Sequence, residues 1–579
     1  MSKLVRLFGL LTIGSLLLSG CFNNEKKDGP VPDIPSEDEP SEEDPPEEEE
    51  STTYEKDSEG FYILEEDYFS YSDDSTDLKT KNEVVIPPTI DGVDKYSQLR
   101  MFIGDRQVPV YNVKTNISQT WSAEASSRQN NSYATFGLKG KVTIKLQASF
   151  NFMNNVTIRP SNRQVPFTID SNRRVLSFTI SDIGQYTIEM RSGRTLHLFV
   201  EDPSIMSNET ANVMYFEPGI HKRGTDSRIG SNNVINLSSN QKVYLAPGAF
   251  VFAKFSANSA SNIEISGPGY IDGSIFERDA NKGSVLVPID FNYCSNITLK
   301  DFACIDPAGW TFNMYFCNGL TIDNIKIISS RSNGDGISLQ SCQNANVTNS
   351  FLRTWDDSLV VKNYPKWSDR NVEGTTRNIS FSNCLIWTDL AQSMEIGYET
   401  VGEVMEDITF DNITVLHNYH KAVISIHNAN NANVKNVHFT NITIEDGSVG
   451  KGDGWNYLVD IRNLFNSTWS TNHKITTLGS IDGVNISNVL VLNGSIDPAI
   501  VVKGTKENRD GFLKDEHITS NVTINDFFLY DRVITKDNCN YQTNQYTSNI
   551  QFTSSGKKVT GSSYTPRDVS EYGNNIIFK

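Results

Sequence analysis

Hydrophobic and polar positions change rhythm along this 579-residue chain, and each change marks a different kind of structure. Between about Thr52 and Asp202 apolar residues fall at every second position. The runs are Lys141–Leu146, Asn155–Ile158, Arg174–Ile180, Tyr186–Met190 and Leu196–Val200. Period-two alternation predicts strands with one buried face. The Ser192-Gly193-Arg194 break between the last two runs predicts a hairpin turn. Many short strands separated by turn residues predict an antiparallel β-sandwich.

From about Val213 the unit becomes Asn-(Ile/Val)-x-(Ile/Leu/Phe). It starts at Asn262, Asn296, Gly319, Asn346, Asn378, Asp407, Asn436, Gly483 and Asn521, at intervals of 34, 23, 27, 32, 29, 29, 47 and 38 residues. A constant strand at irregular intervals predicts coils of fixed core and variable loops. Aliphatics fill the interior, and asparagines sit at bends where their amides bond the backbone. Helical periodicity is nearly absent. The expected fold is all-β, an N-terminal antiparallel β-sandwich at 52–202 followed by a right-handed parallel β-helix of about nine to eleven coils at 203–579.

The N-terminus departs from both rhythms. Lys3 and Arg6 precede an apolar run from Leu7 to Leu18, then Ser19-Gly20-Cys21. Such a run is an export signal, too short for a stable span. The Leu18–Cys21 ending resembles a bacterial lipobox. It implies removal of residues 1–20, lipidation of Cys21 and a lipid-anchored place in the bacterial envelope, in the outer membrane facing the surface or the periplasm. Residues 28–50 hold twelve carboxylates, many prolines and no basic residue. They cannot bury enough apolar surface to fold, so 21–51 is expected to be an acidic tether.

Residues 1–50 carry a charge of −9, which leaves −10 of the net −19 for the body. That balance excludes nucleic acid as a partner. Beyond Cys21, the six cysteines show no CxxC spacing, so no structural zinc is expected and buried free thiols are. The chain is expected to act as a monomer, without metal or cofactor.

Chemistry concentrates in three acids. Asp335 lies in Asn333-Gly-Asp-Gly336, and 21 residues later come Asp356 and Asp357, after Trp355. That spacing is about one coil, and neighbouring coils lie about 4.8 Å apart, so the acids share a face. Crowded carboxylates raise one another's pKa and suit acid–base work. The bland alternative is that they cap bends or bind calcium. Aromatic residues crowd the same coils: Trp310, Trp355, Tyr364, Trp367, Trp387 and Tyr398. Such rings suit the apolar faces of sugars or ordinary packing.

Asn333–Cys342, Asn346–Asn349 and Asp356–Lys362 together resemble the polygalacturonase family, glycoside hydrolase family 28, and the related family 49 dextranases. Tyr244–Ala249, Asp306–Trp310 and Asn318–Asn324 fit the coils leading to the site. A sandwich ahead of the helix resembles the dextranase layout. The resemblance implies hydrolysis of a polysaccharide or oligosaccharide with inversion. It assigns Asp356 as general acid and Asp335 with Asp357 as activators of water, and places Lys362 to contact substrate or pair with an acid. Asn333 and, from the aromatic cluster, Trp310 and Trp355 are further expected substrate contacts.

Two departures stand out. Ala391-Gln392-Ser393 replaces the family's Gly-His-Gly, and Ser425-Ile426-His427 replaces its Arg-Ile-Lys. Those basic residues hold a substrate carboxylate, so their loss favours a neutral or decorated glycan, with Gln392, Glu395 and His427 as contacts. Two other functions stay open: a β-helix polysaccharide lyase, and a non-catalytic glycan-binding or adhesin protein. Few basic residues close in sequence to the acids, Arg353 and Lys362, disfavour the lyase.

Overall fold

The computed structural model describes residues 54–70, 77, 79–120, 127–206, 213–278, 286–364, 373–466, 477–506 and 515–579. The export signal, Cys21 and the acidic tether lie outside the described residues, as does Trp367. Among the described residues strands dominate and the helical elements are short 3-10 turns such as Ser161–Arg163 and Pro203–Met206.

The five alternating runs all become strands: Val142–Ala148, Val156–Arg159, Val175–Ile180, Gly184–Met190 and Arg194–Glu201. The last two pair antiparallel around Ser192 and Gly193, both at positive φ. A seven-stranded and a five-stranded sheet enclose an apolar core that includes Met101, Phe136, Leu146, Phe178 and Leu198. The sandwich is mainly antiparallel, with two exceptions. Arg194–Glu201 runs parallel to Arg128–Lys139, and the chain's last strand, Tyr572–Phe578, runs parallel to Thr80–Val85. The C-terminus thus leaves the solenoid and completes the first sheet of the sandwich.

The solenoid is a right-handed parallel β-helix. Its eleven-stranded sheet contributes one strand per coil, and a twenty-stranded sheet forms the other faces. Register aligns Asn262, Asn296, Gly319, Asn344, Asn378, Asp407, Asn436, Gly483, Asn521 and Asn549 in one column. All of these residues have positive φ, a region open to glycine and tolerated by asparagine and aspartate. Their amides bond from coil to coil, for instance Asn296 to Asn262 at 2.6 Å and Asn378 to Asn344 at 2.8 Å. One expected unit is corrected here. The corner residue of its coil is Asn344, because Asn346 pairs with Thr321 inside the strand. Inside, aliphatics alternate with stacked Phe381, Phe410 and Phe439, with ring centroids 4.7 and 4.9 Å apart.

Cys294, Cys317, Cys342 and Cys384 are buried free thiols within this core. A hydrogen-bond contact with Cys317 and burial both push the Cys294 thiol up, and burial pushes Cys384 up to about 12.

A third apolar cluster joins the two bodies. Tyr111, Tyr133 and Phe199 of the sandwich pack on Phe250, Tyr270, Phe351 and Trp387 of the solenoid. Each large buried side chain contributes about 1.5–3 kcal/mol, against about 0.5–1.5 for a hydrogen bond. Apolar burial therefore supplies most of the attraction, and polar contacts set the angle of docking.

Candidate active site

The three acids lie in the loops that lead into successive strands of the eleven-stranded sheet, Ile337–Gln340 and Leu359–Asn363. Ile337 pairs with Leu359, and the Gly336 amide donates to the Asp357 carbonyl at 2.8 Å. Asp335 therefore stacks on Asp357, and Asp356 precedes the column by one residue. Below and above, the Thr311 amide bonds the Asp335 carbonyl and the Ser358 amide bonds the Gln392 carbonyl. Trp310, Asp335, Asp357 and Gln392 thus occupy neighbouring rungs. Gly336 is required by contact: a Cβ there would lie 2.4 Å from the Ser358 carbonyl oxygen and 2.5 Å from Leu352.

All three acids are buried. Lys362 reaches between them, its Nζ 3.5 Å from Asp335, 3.9 Å from Asp357 and 3.5 Å from Glu399. The cation at their centre is this lysine, and four surrounding carboxylates hold its pKa well above the ordinary value despite burial. Asp335 is pushed up to about 8 by burial and by the charge of Asp356, against the pull of Lys362. Burial also raises Asp356, opposed by Lys362 and Arg278. Asp357 is also raised, by burial and by both other acids, against the pull of Lys362. Carboxylates so placed exchange protons as one group. The Oδ1 atom of Asp335 is buried with no hydrogen-bond partner.

This arrangement penalises the fold in a defined pH window. The folded pKa of Asp335 is about 8 against an ordinary 3.8, so the folded state binds more protons between those values. Stability is fully present below the unfolded pKa and is lost as pH rises through the folded one. Asp335→Asn is expected to melt at a higher temperature than the natural protein at about pH 8 and at the same temperature near pH 4. Thermal denaturation at the two pH values checks this.

Of the other predicted contacts, Trp310 is partly exposed, with Lys362 Nζ 5.2 Å from its ring centroid and Tyr364 edge-on at 6.2 Å. Asn333 accepts a hydrogen bond from Arg278. Gln392 is held by its backbone amide on Asp357 Oδ1 at 3.1 Å.

Three residues need correction. Trp355 is fully buried and donates from Nε1 to the Ser118 carbonyl of the sandwich at 3.3 Å, so it is a wedge behind the acids and not a sugar platform. Glu395 and His427 are likewise fully buried. His427 bonds Glu395 at 2.8 Å from Nδ1 and Asp460 at 2.9 Å from Nε2. Burial opposes its protonation, but these two carboxylates lift its pKa to about 9. This network lies inside the coils, where Tyr398 stacks on the imidazole at 4.3 Å. Neither residue is placed to touch a sugar.

The sequence pattern also misses residues. Glu399 is 4 % exposed and shares Lys362 with the acids. Arg278 reaches Asn333 from a loop far upstream, and its charge bears on Asp356. Arg353, close in sequence, points the other way. It pairs with Asp389 at 3.2 Å and donates to Thr195 at 3.1 Å and His197 at 3.2 Å in the sandwich. Burial and Arg353 keep His197 neutral, free to accept that bond. Asp306, in the Asp-Pro-Ala-Gly-Trp stretch, binds Arg128 of the sandwich at 2.7 Å and Arg331 at 2.9 Å. The sandwich thus braces the loops that carry the acids.

Residues 228–454 match the family model described as Glycosyl hydrolases family 28. A dextranase from Talaromyces minioluteus is 25% identical over 223 residues, 36% of this chain and 35% of its own length. An endo-polygalacturonase from Pectobacterium carotovorum subsp. carotovorum is 26% identical over 255 residues, 40% of this chain and 59% of its own. The matched stretch therefore spans about a third of the dextranase and under two thirds of the polygalacturonase. Among solved structures, Dex49A from Penicillium minioluteum superposes with a TM-score of 0.50 at 14% identity, covering 80% of this chain and 96% of that one, which shows a shared fold. The chain resembles the polygalacturonases of glycosyl hydrolase family 28 and the family 49 dextranases.

Proposed function

We propose that this protein is a polygalacturonase-like or dextranase-like glycoside hydrolase that cleaves a glycan with inversion. The observation that carries the reading is the buried cluster of Asp335, Asp356 and Asp357 around Lys362. Asp356, with its raised pKa, donates a proton to the leaving oxygen. Asp335 and Asp357, one rung apart and facing one ammonium, take the proton of an attacking water. Lys362 keeps the charge of the cluster in balance as that proton moves. No metal is required for either step.

A neutral or decorated glycan fits best. The cation of Lys362 is taken up by carboxylates, and Arg462 by Asp460 at 2.7 Å. The alternative is an acidic sugar, the substrate class in the name of the endo-polygalacturonase relative. Reducing-end release from a panel of pectins, dextrans and other α-glucans separates the two. Release from a neutral polymer supports the first reading and release from pectin alone the second. Silence on every polymer counts against hydrolysis.

Glu399 raises the pKa of Asp335. Glu399→Gln is expected to lower it, moving the acidic limb of the pH–rate profile toward lower pH. An unmoved limb would mean that Asp335 is not the titrating base.

The place of action belongs to the same proposal. The Leu18–Cys21 ending supports lipid anchoring in the bacterial envelope, with the twelve-carboxylate tether holding the body off the membrane as a monomer. Cys21→Ser is expected to move the protein from the membrane fraction to the soluble fraction on cell fractionation.

A further inference from the structure

A cavity of about 560 Å³ lies between sandwich and solenoid and shares no residue with the acid cluster. One wall is the second asparagine corner of the solenoid, where Asn324, Asn349, Asn383 and Asn412 stand on successive rungs. Opposite are Asn162, Arg163 and Ile183 of the sandwich. The chain closes one end as it returns toward the sandwich. The Ser563 amide donates to Asn412 at 2.6 Å, the Arg567 amide donates to Asp182 at 2.7 Å, and the Tyr564 hydroxyl donates to the same carboxylate.

Several features point to a ligand. Asn162 Oδ1 and Arg163 Nη1 are buried without a hydrogen-bond partner, one acceptor and one donor on the same wall. The Arg163 guanidinium carbon lies 4.3 Å from the centroid of the Tyr186 ring, a cation–π contact that anchors the side chain at the wall. Along the corner the amides bond each other, Asn412 to Asn383 at 2.5 Å and Asn383 to Asn349 at 3.4 Å. An amide has two N–H donors and two lone pairs, so Asn349 and Asn383 each keep one donor and one acceptor site beyond the stack, whereas both N–H groups of Asn324 go to Glu201 and Asp301. The Asn349 and Asn383 amides stand on neighbouring rungs about 4.8 Å apart, close to the length of one pyranose residue.

Charge narrows the class. Glu201 is paired with Lys326, but the lining still holds Asp202, Asp301 and Asp323 against Arg163, and this acidic balance disfavours uronates and phosphates. Ile183, 38% exposed, supplies an apolar face of the kind that packs on sugar C–H groups. We infer that the cavity is a second, non-catalytic binding site for a short neutral oligosaccharide lying along the asparagine corner. The inference deepens the hydrolase reading by adding a subsite away from the acids, but the binding itself does not require cleavage.

The test is titration calorimetry of the Asp356→Asn protein with isomaltotetraose, maltotetraose, galactotetraose and tetragalacturonate. A neutral tetrasaccharide is expected to bind at a site that survives Trp310→Ala. Arg163→Ala is expected to weaken that site at least about tenfold. Ile183→Trp, which fills the cavity from an exposed position, is expected to do the same with an unchanged melting temperature. Tetragalacturonate is expected not to compete. The inference is overturned if no neutral tetrasaccharide binds away from the acid cluster, if binding survives both cavity variants, or if tetragalacturonate binds there equally well. Polymer cleavage by the natural protein without any such binding would overturn this inference alone. Cavity binding in a protein that cleaves none of the polymers would support it and tell against the hydrolase reading instead.

Discussion

Asp356→Asn is expected to lower the turnover number by about 10²–10⁴-fold, the usual share of a general acid, with the fold intact. The amide keeps the shape of the carboxyl but cannot deliver a proton to the leaving oxygen. Its Oδ1 can still accept the Asp357 amide, now at 3.0 Å, so the loop keeps its local bond. Removing one of three crowded acids also relieves repulsion, which raised both Asp335 and Asp357. Activity should therefore collapse while stability is held or gained above neutral pH. Steady-state rates on the responsive polymer, with a melting curve alongside, separate a chemical defect from a folding one.

The second large effect lies outside the acid cluster. Arg353→Met is expected to destabilise the protein by about 3–5 kcal/mol, the penalty for leaving one partner of a buried pair uncompensated. Asp389 is 3 % exposed and already pushed up by burial, with Arg353 as the main opposing charge. Arg353 also donates to two residues of the sandwich and lies 4.0 Å from the centroid of the Trp387 ring. It stands two positions before Trp355, the wedge on Ser118. Loosening this link should displace the Asp356 loop, so turnover falls with stability. Urea unfolding measures the first and kcat the second. Loss of stability with turnover untouched would mean that the sandwich braces the fold and not the acids.

The parts legible in the sequence share one trait: their signal is local. Period-two alternation found the sandwich strands, and the asparagine corner found the coils, because left-handed backbone at a fixed place in each rung restricts the residue there. The acid cluster was legible because Asp335 and Asp357 flank strands one coil apart. What escaped needed long-range placement. Arg278 and Glu399 come from segments with no motif of their own. The strand Tyr572–Phe578 pairs with Thr80–Val85 across nearly the whole chain, which no local pattern reports. Trp355, Glu395 and His427 were misplaced as sugar contacts for the same reason. Position in a coil says which strand a residue is in or beside, but not that Ser118 of another domain or the Asp460 network covers it.

The central claim is that Asp356 protonates the leaving group while Asp335 and Asp357 direct water to the opposite face. Proton nuclear magnetic resonance of the first anomer released from the responsive polymer tests it most directly. The account predicts a product of anomeric configuration opposite to that of the bond cleaved, and no product from Asp356→Asn. A first product that retains the configuration, or one formed at an undiminished rate by Asp356→Asn, would contradict it.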